Sequence, residues 1–285
     1  MLDTRLLEDA ATDVIERGWA YLDCPTHCDP EEVLRLTPAF FDRRKNDWQQ
    51  WRSKRLGEDE SDVGLLISTN QETNHSGKPK DNKSHVMFTE DMARLLKEQH
   101  ETDIHGDEHD AEFFGLIETL HQSSRHISVG LLRSISQQLD LSVDLGDACE
   151  YAQSHCYPTA TRATRVMQYF KAGGKTHLDR CGLTSPHWAD RNGELFALDR
   201  NGNECVVSAP EGKVLVFASL KLQIATGGLI PAVPHGSFCD ETDRRLAVVT
   251  FEQLVTQPMV RDFEAAVQYG LQNHRVLSST TPVAW

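Results

Sequence analysis

Hydrophobic positions along the chain change their period as the sequence proceeds. Over roughly the first 55 residues they recur at helical spacing: Leu6, Leu7, Ala11, Val14 and Ile15 lie on one side, and Gly18 closes the element. Trp19-Ala-Tyr-Leu then alternates as a short strand. Asp29-Pro30-Glu31-Glu32 predicts a helix start, with Asp as the cap, Pro at the first helical position and acids facing the positive end of the helix dipole. Leu34, Leu36, Phe40 and Phe41 supply its apolar side. Residues 52–62 form a charged stretch, and Ser68–Ser84, rich in Asn, Lys, Ser and Thr, predicts an exposed loop. A second helical block is predicted over about 110–139 from the stripe Phe113, Leu116, Ile117, Leu120, Ile127, Leu131, Leu132, Ile135 and Leu139.

From about residue 162 the period becomes two. Predicted strands are Arg165–Phe170, Thr176–Asp179, Glu194–Leu198, Glu204–Ser208, Val214–Ala218, Ala232–Ser237 and Arg245–Phe251. Turn signals separate them at 172–174, 191–193, 200–203, 210–212 and 226–228. Many short strands punctuated in this way predict a sandwich or barrel. The block 258–274 returns to helix and leaves two roles open, a cover for the barrel mouth or a dimer contact. The expectation is one domain over 1–285, mainly β with flanking helices: a mostly helical part at 1–150, a β core at 160–255, and a closing helix and tail at 256–285.

Charge narrows the partners. Acidic residues number 43 against 29 basic, a formal charge of −14, which repels phosphate backbones and anionic lipid, and no basic patch offsets it. Nucleic acid and membrane are therefore excluded as expected partners, and a small molecule is favoured. The seven cysteines form neither a C-x-x-C pair nor an evenly spaced framework, and their odd number in a chain this large predicts reduced thiols in a cytoplasmic setting. The N-terminus lacks the apolar core of a signal peptide, and no stretch reaches the ~18 apolar residues of a membrane span.

His-x-Asp occurs at His27/Asp29, His105/Asp107 and His177/Asp179. Asp29 is already engaged as a helix cap, and His105/Asp107 sits in an acidic run suited to a solvated loop. His177/Asp179 falls in a predicted strand, where residues i and i+2 share a face and can converge on one ion. His235, in Val233-Pro234-His235-Gly236, is the natural third ligand. Two histidines and one carboxylate make the facial triad of non-haem Fe(II) oxygen-activating sites. The competing reading makes His235 a hydrogen-bonded core histidine and His177/Asp179 a surface pair. Arg245 shares its face with Ala247, Val249 and Phe251, and a guanidinium among apolar neighbours needs a matched anion. Either a protein acid or a bound small dicarboxylate supplies it, and Arg244 points the other way.

These residues together resemble the Fe(II)/2-oxoglutarate-dependent oxygenases of the isopenicillin-N-synthase-like family. Gly18-Trp-Ala-Tyr-Leu with the Pro30 helix, the 113–139 helix, the hairpin Leu198–Ser208 and Thr226-Gly-Gly-Leu-Ile-Pro-Ala-Val-Pro-His235 all follow its pattern, over most of residues 6–255. The resemblance implies a double-stranded β-helix, or jelly roll, with Fe(II) held by His177, Asp179 and His235. It implies that Arg245 binds the distal carboxylate of 2-oxoglutarate, and that O₂ and this co-substrate drive oxidation of an unactivated C–H bond with release of succinate and CO₂. Hydroxylation is the default outcome, with desaturation or oxidative cyclisation as variants. Two positions depart from the pattern: Ala247 stands where Arg-x-Ser has its hydroxyl, and Gln168-Tyr169-Phe170 stands where Asn-x-Tyr is usual, with Gln168 replacing the Asn. Tyr169 or Thr250 is a candidate for the missing donor. The carboxylate of Asp179 argues against halogenation, which needs a small residue there.

Arg165 and Arg162, near the predicted barrel interior, are candidate contacts for an anionic substrate, and Trp188, with His187 in a loop after the metal strand, is a candidate pocket wall. Arg180 is expected to face away from the metal. Lys78, Lys80 and Lys83 lie in a loop read as exposed rather than as a lid. Two other functions fit the same residues: an Fe(II) oxidase of this fold that does not consume 2-oxoglutarate, and a non-catalytic jelly-roll binding protein.

Overall fold

A computed structural model describes residues 4–44, 64–67, 83–89, 108–155, 162–170, 176–190, 194–238 and 244–254. The predicted helix 258–274, the pair His105/Asp107, Lys78, Lys80 and the turns at 172–174 and 191–193 lie outside the described residues.

The helical elements form where the periodicity places them. Helix α1 spans Thr4–Arg17 and buries Ala10, Ala11 and Val14. Strand β1 follows over Trp19–Asp23. Helix α2, Pro30–Arg44, starts as its sequence predicts, with the Glu32 amide donating to Asp29 Oδ1 at 2.9 Å. Helix α3 runs over Glu108–Gln138 and buries Phe113, Ile117, Leu120, Ile127, Leu131, Leu132 and Ile135 completely. Phe40 of α2 stacks on Phe113 with ring centres 4.4 Å apart, so the two helices lock through aromatic packing. Helix α4, Leu145–His155, was not anticipated; Asp144 Oδ1 caps it by accepting from the Gly146 and Asp147 amides.

The strands build two antiparallel sheets. Strands β2 (Gly64–Ile67), β3 (Lys83–Phe88), β4 (Ala163–Phe170), β5 (Leu183–Ala189), β8 (Lys213–Ala218) and β10 (Arg244–Glu252) join β1 in a seven-stranded sheet of order β1-β8-β5-β10-β4-β3-β2. Strands β6 (Leu195–Leu198), β7 (Glu204–Val206) and β9 (His235–Ser237) form a second sheet of order β7-β6-β9. Helix α5, Leu220–Ala225, connects β8 towards β9.

Several expectations change. Lys83 and Ser84 belong to β3 rather than to an exposed loop, and Ser84 is buried. Residues 183–189, read as a loop, form β5; His187 pairs with Val249 and Trp188 with Val248. The register of β5 shifts between Thr184 and His187 against both neighbours. Pro186 lies within that shift, and having no N–H it cannot complete a ladder there. Residues 176–179 form no strand: His177 makes a single antiparallel bridge to His235. Among the described residues Cys24, Cys28, Cys149, Cys181 and Cys205 form no disulfide.

Pairing decides which side chains share a face, because residues opposite one another in a ladder point the same way. Val86, Phe88, Val166, Leu246 and Val248 join the main core with α1, α2 and α3. On the opposite face Met167, Tyr169, Ala247 and Val249 form a separate cluster flanked by Ala189 and Phe251. This second face is the site face.

Gly18 ends α1 with φ +96°, and a Cβ built there would lie 2.6 Å from Val233 Cγ2. Both the left-handed backbone and the close approach require glycine. Gly18→Ala is expected to lower unfolding stability by about 1–3 kcal/mol in a thermal or denaturant melt.

Candidate metal centre

His177, Asp179 and His235 come together from two backbone segments tied to each other. The His177 amide donates to the His235 carbonyl at 2.9 Å, and the His235 amide returns a bond to the His177 carbonyl at 3.0 Å. On the other side, the first turn of α5 grips the same loop: the Leu220 amide donates to the Asp179 carbonyl at 3.0 Å and the Lys221 amide to the Cys181 carbonyl at 2.9 Å. The loop needs no strand of its own because both flanks are bonded.

The three ligand atoms all lie within 4.8 Å of one another. His177 Nε2 is 3.4 Å from Asp179 Oδ1, and His235 Nε2 is 3.5 Å from Asp179 Oδ2. The His235 Nδ1–H donates to the Val233 carbonyl at 3.0 Å, which leaves the Nε2 lone pair facing the carboxylate. Thr184 Oγ1 donates to Asp179 Oδ2 and also contacts Ser219 Oγ at 3.0 Å. The His177 side chain is 42% exposed while those of Asp179 and His235 are 10% and 7%, so the centre is open on one side only.

Protonation suits a cation. Burial works to raise the Asp179 carboxyl, but the His235 and His177 imidazoles and the Thr184 hydroxyl outweigh it and hold it well below the usual carboxylate range. Burial pushes His235 down to about 4, against the pull of the Asp179 carboxylate. At neutral pH the set is therefore an ionised carboxylate beside a neutral buried imidazole, the donor chemistry of a divalent transition metal. Cys181 is no competitor: burial, aided by Asp179, pushes its thiol up to about 12, so it stays protonated.

Arg245 is buried at 1% exposure and lies on the site face, opposite Tyr169 and one face position from Ala247. Its Cζ is 5.9 Å from the Tyr169 ring centre, and Lys83 Nζ, on the other flanking strand, is 5.7 Å from the same ring. Gln168 pairs with Leu246 and Ser84, so it lies on the helix face, away from Arg245. The inward pair is instead Met167 and Tyr169, one residue earlier than Gln168 and Phe170. The Tyr169 hydroxyl donates to Met167 Sδ at 3.4 Å. Thr250 is also on the helix face, 2.8 Å from Thr164 Oγ1. Of the two donors considered beside Arg245, Tyr169 alone is on its face.

The candidate substrate contacts separate in the same way. Arg165 pairs with Val249 on the site face. Arg162 is buried under α3, where its Nε donates to His121 Nε2 at 3.1 Å, so it faces the helices and not the centre. Trp188 has its backbone in β5 rather than in a loop. Arg180 and Arg244 are exposed. Sequence reasoning placed Lys83 in an exposed loop rather than on the site face, and it missed Thr184; no motif marks Thr184, whose role appears only once the 177–182 loop is folded against β5.

His235 gives the metal-free protein a pH signature. Its folded value of about 4 lies below the ordinary 6.5, so between these values the unfolded chain binds more protons and stability falls as pH falls. The full difference corresponds to about 3 kcal/mol. His235→Gln is expected to show a shallower loss of stability than wild type when metal-free protein is melted from pH 6.5 down to 4.

No known protein-family profile matches the chain, and no curated protein matches it. Solved structures do. A Shewanella oneidensis protein assigned as an oxygenase superposes with TM-score 0.65 at 15% identity, covering 95% of each chain. A Neurospora crassa protein in complex with alpha-KG and thymine gives TM-score 0.63 at 14% identity, over 98% of this chain and 92% of that one. JOX2 in complex with 2OG, Fe and JA gives TM-score 0.63 at 15% identity, over 89% of this chain and 72% of that one. Among the described residues no helix is long and apolar enough to cross a membrane. The chain has the fold of the Fe(II)/2-oxoglutarate-dependent oxygenases.

Proposed function

We propose that this protein is an Fe(II)/2-oxoglutarate-dependent dioxygenase in which the two sheets make a double-stranded β-helix around the site face. The observation that carries the reading is the convergence of His177, Asp179 and His235, with all three ligand atoms within 4.8 Å of one another. His177, Asp179 and His235 would hold Fe(II), and Arg245, supported by Tyr169, would hold the distal carboxylate of 2-oxoglutarate. Iron with O₂ and 2-oxoglutarate supplies the oxidising power for an unactivated C–H bond of a small molecule. In the hydroxylation outcome one oxygen atom enters the substrate and the other enters succinate as CO₂ leaves.

The chain's own residues prepare that chemistry. The Val233 carbonyl fixes the His235 tautomer, so its Nε2 is available without a proton. Thr184 orients the Asp179 carboxylate and holds one of its oxygens. Arg245 is always cationic and buried, so a carboxylate reaching it meets a fixed partner in a weakly screened interior. The apolar cluster Met167, Ala247 and Val249 keeps water from competing along the same face.

One feature favours a second reading. Ala247 and Met167 place no hydroxyl or amide beside Arg245, as an Fe(II) oxidase without 2-oxoglutarate would allow.

Anaerobic titration with Fe(II) and then 2-oxoglutarate separates the readings. A visible metal-to-ligand charge-transfer band is expected in wild type and is expected to vanish in Asp179→Ala. Arg245→Ala is expected to keep iron while losing roughly tenfold or more in 2-oxoglutarate affinity, and Tyr169→Phe to lose less. Iron binding with no band in wild type would establish the oxidase reading instead.

A further inference from the structure

Arg165 is a cation on the site face that neither the triad nor the co-substrate reading uses. Arg165, on β4, has a buried Nε with no hydrogen-bond partner. Its Cζ lies 5.2 Å from the Phe251 ring centre, so the guanidinium rests against an aromatic surface. Across the ladders it faces Val249 on β10 and Met87 on β3, and Met167 follows on its own strand. All three of these neighbours are buried. Among the described residues no acid forms an ion pair with Arg165. A guanidinium presents five donors and does not lose its charge, so an inward N–H left without an acceptor is costly.

Register places this cation towards the triad end of the sheet. Arg165 is opposite Val249, and the next position on that face of β10, Phe251, is opposite Thr184, whose hydroxyl holds Asp179. Arg245 lies four residues back along β10, about 13 Å at the rise of an extended strand. The two guanidiniums therefore define separate anion positions on one wall: Arg245 away from the triad, Arg165 near it.

We propose that Arg165 binds the carboxylate of the molecule to be oxidised, and that this molecule is a monocarboxylic acid with an apolar body lying on Met87, Met167, Val249 and Phe251. A carboxylate matches the planar fork of a guanidinium with two parallel bonds. Among the described residues, the side chains that face Arg165 directly are a thioether, a valine and a ring, and the next polar group on that face is His85, opposite Met167, so a phosphate would leave charged oxygens against apolar groups. The role as substrate site rests on the oxygenase reading above; the carboxylate site itself does not.

The test uses the full chain, anaerobically, first alone and then with Fe(II) and 2-oxoglutarate. Hexanoate, phenylacetate, their amides and inorganic phosphate are titrated by calorimetry into wild type, Arg165→Gln and Arg165→Lys. The expected result is that at least one acid binds wild type, that its amide binds far more weakly, and that Arg165→Gln loses roughly tenfold or more in affinity. Arg165→Lys should recover part of that loss, since it restores charge without the fork. The charge-transfer band of the variants reports that the centre is intact, and should Arg165→Gln fail to form it, Arg165→Lys against wild type carries the comparison. Equal binding of acid and amide, equal binding by wild type and an intact variant, preferential binding of phosphate, or no binding of either acid would overturn the proposal. A wild type that shows no band yet binds acid through Arg165 would remove the oxygenase reading and leave the carboxylate site standing.

Discussion

The register of β10 is the constraint on which the remaining architecture depends. This strand is paired on both sides, with β4 and with β5, so a slip of one residue would turn every side chain to the other face. In the observed register Leu246 and Val248 meet the helical core, while Arg245, Ala247 and Val249 look the other way. Leu246 and Val248 are thus the reason Arg245 is where it is. The main core holds the alternation in place, and the site face inherits it. Reversing the strand would instead turn Leu246 and Val248 out of the main core and put the Arg245 guanidinium into it.

The triad solves a different problem. His177 and Asp179 sit on a loop, and loops ordinarily let side chains wander. Here the loop is bonded on one side to His235 and on the other to the start of α5, so its backbone is as well satisfied as a strand would be. The side chains are then set by neighbours that touch no ligand themselves: the Val233 carbonyl for His235 and Thr184 for Asp179. Gly18 enters this chain of contacts too, because its lack of a side chain lets Val233 approach. A residue at the end of the first helix therefore bears on the orientation of the third triad member.

Much of this arrangement was legible in the sequence, and the parts that were not share a physical cause. The three long helices and most strands announce themselves by period, because each buries one face. Asp29, Pro30 and the two glutamates mark their helix start by local chemistry alone. His177, Asp179, His235 and Arg245 could be nominated from type and spacing, since such groups have few reasons to occur together on apolar strands. What failed was register. Gln168 and Tyr169 are adjacent, so a shift of one residue exchanges which of them meets Arg245, and no property of the pair in isolation settles it. Only the partners Leu246 and Arg245 do. Arg162 is a different case: its odd spacing from Arg165 already puts the two on opposite faces of an extended segment, so the sequence itself argued against pairing them. Strand β5 hid because Pro186 reads as a loop signal, although a bulge accommodates it. Helix α5 is only six residues long, shorter than a periodic pattern can reveal.

Charge shows how a global quantity and a local one can point in different directions without conflict. The chain carries a formal −14, and that value argues against partners whose charge extends over many ångströms. The site face nevertheless places Lys83, Arg165 and Arg245 on the neighbouring strands β3, β4 and β10. Exposed charges are screened over about 8 Å at physiological ionic strength, whereas groups within a low-dielectric wall are screened much less. A long polyanion must cross the acidic exterior along its whole length and feels the net charge. A small acid that has reached the site face feels chiefly the guanidinium beside it. On the proposed reading, discrimination between the two would follow from size, with the acidic composition and the cationic wall acting in the same direction.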